Sequence, residues 1–402
     1  MSLNSEQHPG RGQQGAGNHS DRSRQKKSRQ LRLGVLGLGL AIITLIGIAH
    51  QRGVSVVGVD ALCPFGGIET LWALITSATL IQRIAASSVI LLGVVLATAF
   101  VFRRAFCGYI CPLGAIQEFA GKLGHKLFGG KLPMVPKWLD RPARFLKYGV
   151  LAFFAIWSWQ AASLVLRPYD PWVAWMHLTS TELIAEFSIG LAVLGVSVVG
   201  SVVYDRFFCK YLCPMGGFLG VISRISIFKV RRNADTCTDC KACDRVCPVN
   251  VTVSEVAVVN DAECINCNEC VNVCPVRETL VVSAGAAPTA RKLAPNAVLG
   301  LTVALIAIGV GLPTLTGSFA WTIPTLESTV QKAGGTVNVE DIRGSMTFAE
   351  ISKATGVSEA EFQEKFGVTA ADMATPIKDL AEKNGFDVHT DVREFITEKL
   401  DQ

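Results

Sequence analysis

Five uncharged apolar runs, closely spaced cysteines set between them, and an acidic end without cysteine predict the fold class. It is a mainly α-helical transmembrane bundle of about five spans, with a small α+β cysteine-rich domain and a small helical domain at the C-terminal end. Half of the 402 residues are hydrophobic and 18% are charged, the wrong balance for an ordinary soluble enzyme. The net charge of +5 averages a basic front and an acidic tail, so it points to no nucleic-acid partner.

Residues 1–32 are rich in Gly, Gln, Ser and Arg and lack apolar periodicity, which predicts a disordered arm ending in Arg22, Arg24, Lys26, Lys27, Arg29 and Arg32. A four-span membrane domain, 33–232, follows. Its first run, 33–49, is long enough to cross a bilayer if its flanks snorkel. A cleaved signal peptide is the rival reading; the long arm and the lack of a clean small-x-small site after the run oppose it. Further spans are 84–102, 145–166 and 183–203, and a fifth, 296–312, lies within 291–313. Residues 67–81 are apolar but short and carry Glu69, so they read as interfacial or re-entrant.

Orientation follows from Lys and Arg, because positive loops resist transfer across the membrane. Residues 103–147 hold nine of them and 206–232 six, whereas 50–83 and 167–182 hold only Arg52, Arg83 and Arg167. The N-terminus and residues 233–290 are therefore expected in the cytoplasm, and 314–402 outside.

Residues 233–290 carry two strings, Cys237-x-x-Cys240-x-x-Cys243-x-x-x-Cys247-Pro248 and Cys264-x-x-Cys267-x-x-Cys270-x-x-x-Cys274-Pro275. Both fit the bacterial ferredoxin pattern, in which three thiolates hold one 4Fe-4S cluster and the fourth, before proline, crosses to the other. That pattern assigns Cys237, Cys240, Cys243 and Cys274 to cluster one. Cluster two takes Cys264, Cys267, Cys270 and Cys247. Structural zinc is the competing reading, but it has no use for the crossed ligand or the repeated Cys-Pro. The valine-rich stretch 251–259 is expected to form a small strand pair.

Two further pairs, Cys107-x-x-x-Cys111-Pro112 and Cys209-x-x-x-Cys213-Pro214, share their neighbours and form an internal repeat. On a continuous helix this spacing places both sulfurs on one face, one turn apart. Two such helix ends brought together offer four thiolates to a third metal centre; redox-active dithiols are the alternative.

Spans carrying two CxxxCP pairs, followed by a twin-cluster domain, resemble the NapH and NosR group of membrane ferredoxin proteins over roughly residues 31–285. The resemblance implies an electron-transfer subunit, quinol dehydrogenase-like and not a complete enzyme, in the bacterial cytoplasmic membrane. It would pass electrons between the quinone pool and a respiratory redox protein, such as a nitrate or nitrous oxide reductase. A regulatory or maturation role toward such an enzyme is the alternative. Two features depart from the group. The arm is shorter than the extracytoplasmic flavin-binding region of NosR-type proteins, and a fifth span and a tail are added.

On the expected outer face, His50, His177, Glu182 and Glu186 are candidates for a quinol site, which needs proton acceptors near the membrane surface. An aromatic belt with Trp172 and Trp175 is the plainer role for the histidines. Cys63, in Cys63-Pro64-Phe65-Gly66, resembles a degenerate third copy of the Cys-Pro motif. The tail has fifteen acidic and eight basic residues. Thr347 with Glu350 and Ser358 with Glu361 predict helix starts there, and Gly356, Gly367 and Gly385 predict stops.

Overall fold

The computed structural model describes residues 19–51, 62–77, 85–129, 136–161, 166–179, 183–285, 290–319, 321, 346–375 and 377–400, with single positions between 326 and 342. The chain divides into two compact units, Met1–Trp321 and Thr322–Gln402.

The first unit begins with helix α1, His19–Gln51. The expected disordered arm is therefore helical from His19 onward. Its cations find partners elsewhere in the chain: Arg32 is buried against Glu118 and Glu269, a stabilisation that local periodicity does not reveal. Helix α2, Pro64–Ser77, packs on α3, Ala85–Phe102, and α3 is also covered by the late helix α15, Pro295–Leu315. Two short helices follow α3, α4 (Ala105–Tyr109) and α5 (Pro112–Leu127). Next come α6, Lys137–Ala143; α7, Leu146–Ala161; α8, Pro171–Met176; and α9, Leu183–Glu186. The motif of α3 to α5 then recurs as α10 (Ser188–Val203), α11 (Phe207–Tyr211) and α12 (Pro214–Ile222). Helix α10 packs on α5 and α12 on α3, so the two copies interlock.

Among the described residues two helices are long and apolar enough to cross a membrane, Ser23–Gln51 and Pro295–Leu315; α3 and α10 are apolar but shorter. The expected span 183–203 is divided at Phe187, between α9 and α10. Apolar side chains nevertheless face outward along the bundle. Leu38 and Leu45 on α1, Phe153 on α7, Val199 on α10 and Ile308 on α15 are each more than half exposed. Hydroxyls point inward instead, where Thr98, Ser197 and Thr302 satisfy themselves on the carbonyls of Val94, Val193 and Val298.

The cysteine strings lie between β1, Lys229–Arg232, and β2, Leu280–Ser283, which pair antiparallel with Val230 opposite Val282. A two-residue strand, β3 (Lys292–Leu293), completes the sheet. The strand pair expected within 251–259 is not formed; that stretch contributes a single bridge, Val258 to Arg231. Its amides are satisfied otherwise: the Asp244 carboxylate accepts from the N–H groups of Val253 and Ser254 at 2.7 and 2.9 Å.

The second unit is helical, with α16 (Phe348–Thr355), α17 (Glu359–Phe366), α18 (Ile377–Asn384) and α19 (Arg393–Leu400) around a core that includes Phe348, Phe362, Phe366 and Ile396. Thr347 with Glu350 and Ser358 with Glu361 form the expected capping boxes, and Gly356, Gly367 and Gly385 end helices with positive φ.

Candidate iron-sulfur sites

Each Cys-x-x-x-Cys-Pro pair, expected at the membrane edge, straddles a break between two helices. Cys107 and Cys209 are the third residues of α4 and α11, while Cys111 and Cys213 cap α5 and α12. The single continuous helix expected for Cys-x-x-x-Cys is therefore corrected. Pro112 and Pro214 have no N–H to continue a helix and force extended ψ values of 118° and 111° on the preceding cysteines, so each proline starts a new helix at its first position.

These breaks leave the four cysteines as near neighbours. Burial, then repulsion from Cys107 and Cys209, pushes the Cys111 thiol up, and Cys213 is raised in the same way with Cys209, Cys107 and Cys111 as neighbours. Gln117 holds the group from the side, donating to Cys209 Sγ at 3.1 Å while its carbonyl oxygen accepts from the Cys209 N–H at 3.2 Å.

Buried cations surround this centre, and sequence reasoning missed them. Arg104 feels Cys107, Cys213 and Cys209; Arg206 feels Cys209; Lys147 feels Cys213. The two arginines cross over between repeats. Arg206 donates to the Cys107 carbonyl at 2.7 Å, and a Cβ on Gly114 would lie 3.2 Å from its Nη1. Reciprocally, a Cβ on Gly216 would lie 2.7 Å from Arg104 Nη2. The signal was present as a shared Arg-x-x-Cys, at Arg104 and Arg206, together with Cys-Pro-x-Gly.

Arg32, Arg103, Arg104, Lys147 and Arg206 are each at most 2% exposed. Three buried carboxylates face these five cations. Glu118 bridges Arg32 and Arg206, each at 2.9 Å; Glu269 takes Arg32 at 2.9 Å; and Glu263 takes Arg104 at 3.3 Å and also Lys147. Burial alone would raise the Glu118 carboxyl, but Arg32 and Arg206 outweigh it and hold it well below the usual carboxylate range. Nitrogens of Arg103 and Arg104 still have no hydrogen-bond partner. A buried positive surplus of this kind is costly unless an anion sits beside it. A cluster bound by four thiolates is such an anion, and its cationic iron core relieves the repulsion among the sulfurs, so these residues fit the group.

The ferredoxin-type strings gather their cysteines in the crossed manner. Cys237, Cys240, Cys243 and Cys274 line one cavity. Desolvation, then repulsion from Cys267, Cys247 and Cys264, raises the half-buried Cys270 thiol. Burial pushes Cys247 up to about 11 and Cys267 up to about 12. In both strings the residues flanking the middle cysteine have positive φ, Asp239 and Lys241 around Cys240, and Asn266 and Asn268 around Cys267. Asn and Asp adopt that region more readily than other side chains, so the turns that curl each string are partly written in its sequence. Among the described residues no three His, Cys, Asp or Glu side chains converge closely enough for a single metal ion.

Of the candidates expected on the outer face, the side chains of His50 and His177 are described. His177 is buried, with Nδ1 2.8 Å from the Val173 carbonyl and its ring 4.4 Å from that of Phe187, a packed helix end. His50 lies in the last turn of α1. Glu182 falls outside the described residues; Glu186 ends α9, and its side chain is likewise outside them. Cys63 stands 3.8 Å from an Asp170 oxygen, and that carboxylate caps α8 by accepting from the Trp172 N–H.

A family model described as a 4Fe-4S binding domain matches twice, at residues 84–131 and 188–233, the two membrane-edge repeats. A second, described as a 4Fe-4S dicluster domain, matches residues 229–275. Among curated proteins, YccM of Escherichia coli (strain K12), named as a proposed electron transport protein, is 30% identical over 63% of this chain and 71% of its own length. The ferredoxin-type protein NapH of Haemophilus influenzae is 26% identical over 44% of this chain and 59% of its own. The methylamine utilization ferredoxin-type protein MauN of Methylorubrum extorquens is 30% identical over 40% and 54%. No solved structure matches the chain. With its 4Fe-4S binding domains and these relatives, the chain belongs to the NapH-type family of 4Fe-4S ferredoxin proteins, whose work is iron-sulfur electron transfer.

Proposed function

We propose that this chain is a multi-pass electron-transfer subunit of the bacterial cytoplasmic membrane, holding three 4Fe-4S clusters and linking the quinone pool to a respiratory redox partner. The observation that carries the reading is the convergence of Cys107, Cys111, Cys209 and Cys213 inside a buried, cation-rich shell, in the two segments that match a 4Fe-4S binding domain. Cys237, Cys240, Cys243 and Cys274 would hold the second cluster, and Cys264, Cys267, Cys270 and Cys247 the third. Bound clusters supply one-electron exchange without making or breaking bonds to substrate.

The chain's own residues keep those sites dry and positively biased. Arg104, Lys147 and Arg206 favour the electron-rich state of any centre beside them. Outward apolar faces on α1, α7, α10 and α15 support a membrane bundle of five spans, and the basic loops support a cytoplasmic cysteine-rich domain with residues after 312 outside. Exchange with a small carrier is supported by a cavity of about 390 Å³ lined by Asp140, Arg144, Phe145, Tyr148, Asn250 and Glu263. Glu263 precedes Cys264, and Phe145, which lines the cavity, is an exposed apolar residue.

The test is anaerobic mixing of the purified, cluster-loaded protein with menadiol. Bleaching of the cluster absorbance is expected. Clusters that are spectroscopically intact yet stay oxidised across the accessible potentials would refute the quinone link.

A further inference from the structure

The membrane-edge pairs and the ferredoxin-type strings touch at one junction. A Cβ on Gly108, the residue after Cys107, would lie 2.6 Å from the Ile265 carbonyl oxygen and 3.7 Å from Cys267 Cα, so only glycine lets the two backbones meet. Next to it Tyr109, 1% exposed, donates from its hydroxyl to the Asn266 carbonyl at 2.9 Å and accepts from Asn268 Nδ2 at 2.8 Å. Two consecutive residues of the first pair thus grip both sides of Cys267.

Arg32 ties the grip from a third direction, donating to the Gly108 carbonyl at 3.1 Å while paired with Glu269, two residues past Cys267. The second pair reaches the same set. Lys210, which occupies in the repeat the place of Gly108, donates to Asn250 Oδ1 at 3.0 Å, and the Asn250 N–H binds the Cys247 carbonyl at 3.1 Å. Cys247 and Cys267 belong to one crossed set. In the other set Cys240 is exposed to solvent.

We propose that this junction fixes the order of the three cysteine sets. The membrane-edge set (Cys107, Cys111, Cys209, Cys213) adjoins the set of Cys247, Cys264, Cys267 and Cys270. The set of Cys237, Cys240, Cys243 and Cys274 is outermost and meets the soluble partner. Gly108 is the positioning residue that holds the first two sets in backbone contact. Tunnelling weakens steeply with distance, so the closest backbone approach decides which sets exchange electrons directly. The order rests on the reading that the membrane-edge set holds a cluster.

Paramagnetic resonance of the full-length, cluster-loaded, dithionite-reduced protein tests it, because neighbouring reduced clusters couple magnetically whatever the turnover. Loss of the outer set in Cys240→Ala is expected to leave the coupling of the membrane-edge signal intact, and loss of the middle set in Cys270→Ala to abolish it. Gly108→Val, at undiminished iron content, is expected to weaken that coupling. Gly93→Val, on α3 where a Cβ meets nothing within 4 Å, is expected to leave it unchanged. If Cys270→Ala does not fold, Gly108→Val decides alone. Coupling that survives Cys270→Ala, or is unaltered in Gly108→Val, would overturn the order. About twelve irons per wild-type chain with an uncoupled membrane-edge signal refutes the order alone, whereas about eight irons removes the three-cluster reading with it.

Discussion

At the scale of single residues, the buried charges are the groups most costly to leave unpaired. Glu118 is the one carboxylate that Arg32 and Arg206 share, with its side chain 8% exposed. Glu118→Ala takes the carboxylate from buried Arg206 and leaves Arg32 with Glu269 alone, which costs about 3–5 kcal/mol by analogy with other broken buried pairs. A lowered thermal midpoint in detergent, with loss of iron from the membrane-edge set, is the expected outcome. Exposed groups behave differently. Hydrogen bonds from Lys399 and Ser358 hold the Glu361 carboxyl down at about 2, below its ordinary 4.5. A group depressed on folding adds stability that is complete above the unfolded value and is lost as pH falls through the folded one. The α17 cap is therefore expected to weaken between roughly pH 4.5 and 2. A carboxyl NMR titration of Glu361 with its midpoint near 2 would show this, and Glu361→Gln would remove that pH dependence.

At the scale of elements, cysteine spacing was legible because cluster ligation demands it. The strings alone place Cys247 and Cys274 across from their own triplets, and the capping boxes at Thr347 and Ser358 are equally readable. Three elements were not. From His19 onward the arm is helical because Arg32 finds Glu118 and Glu269 far away in the chain. Residues 251–259 read as strand by valine content, but the Asp244 side chain takes the amides that a strand partner would have taken. The CxxxC helices break because proline acts on the residue before it as well as on itself. Pro214→Ala is expected to let α11 run on into α12 and swing Cys213 out of the group. The measurement is iron and labile sulfide, with a loss of about four irons per chain and the ferredoxin-type signals retained.

At the scale of the whole molecule, two interlocked copies of one helix–break–helix unit face a twin-string domain, and the buried arginines pass between the copies. This arrangement explains why Arg104 and Arg206 are so well buried: each serves the other repeat, and a single repeat shows only half of the pairing. It also makes cluster number the quantity on which the account turns. Anaerobically purified, reconstituted full-length protein should contain about twelve irons and twelve acid-labile sulfides per chain, three cubes of four. About eight of each, with Cys107, Cys111, Cys209 and Cys213 still free to react with a thiol reagent, would contradict it.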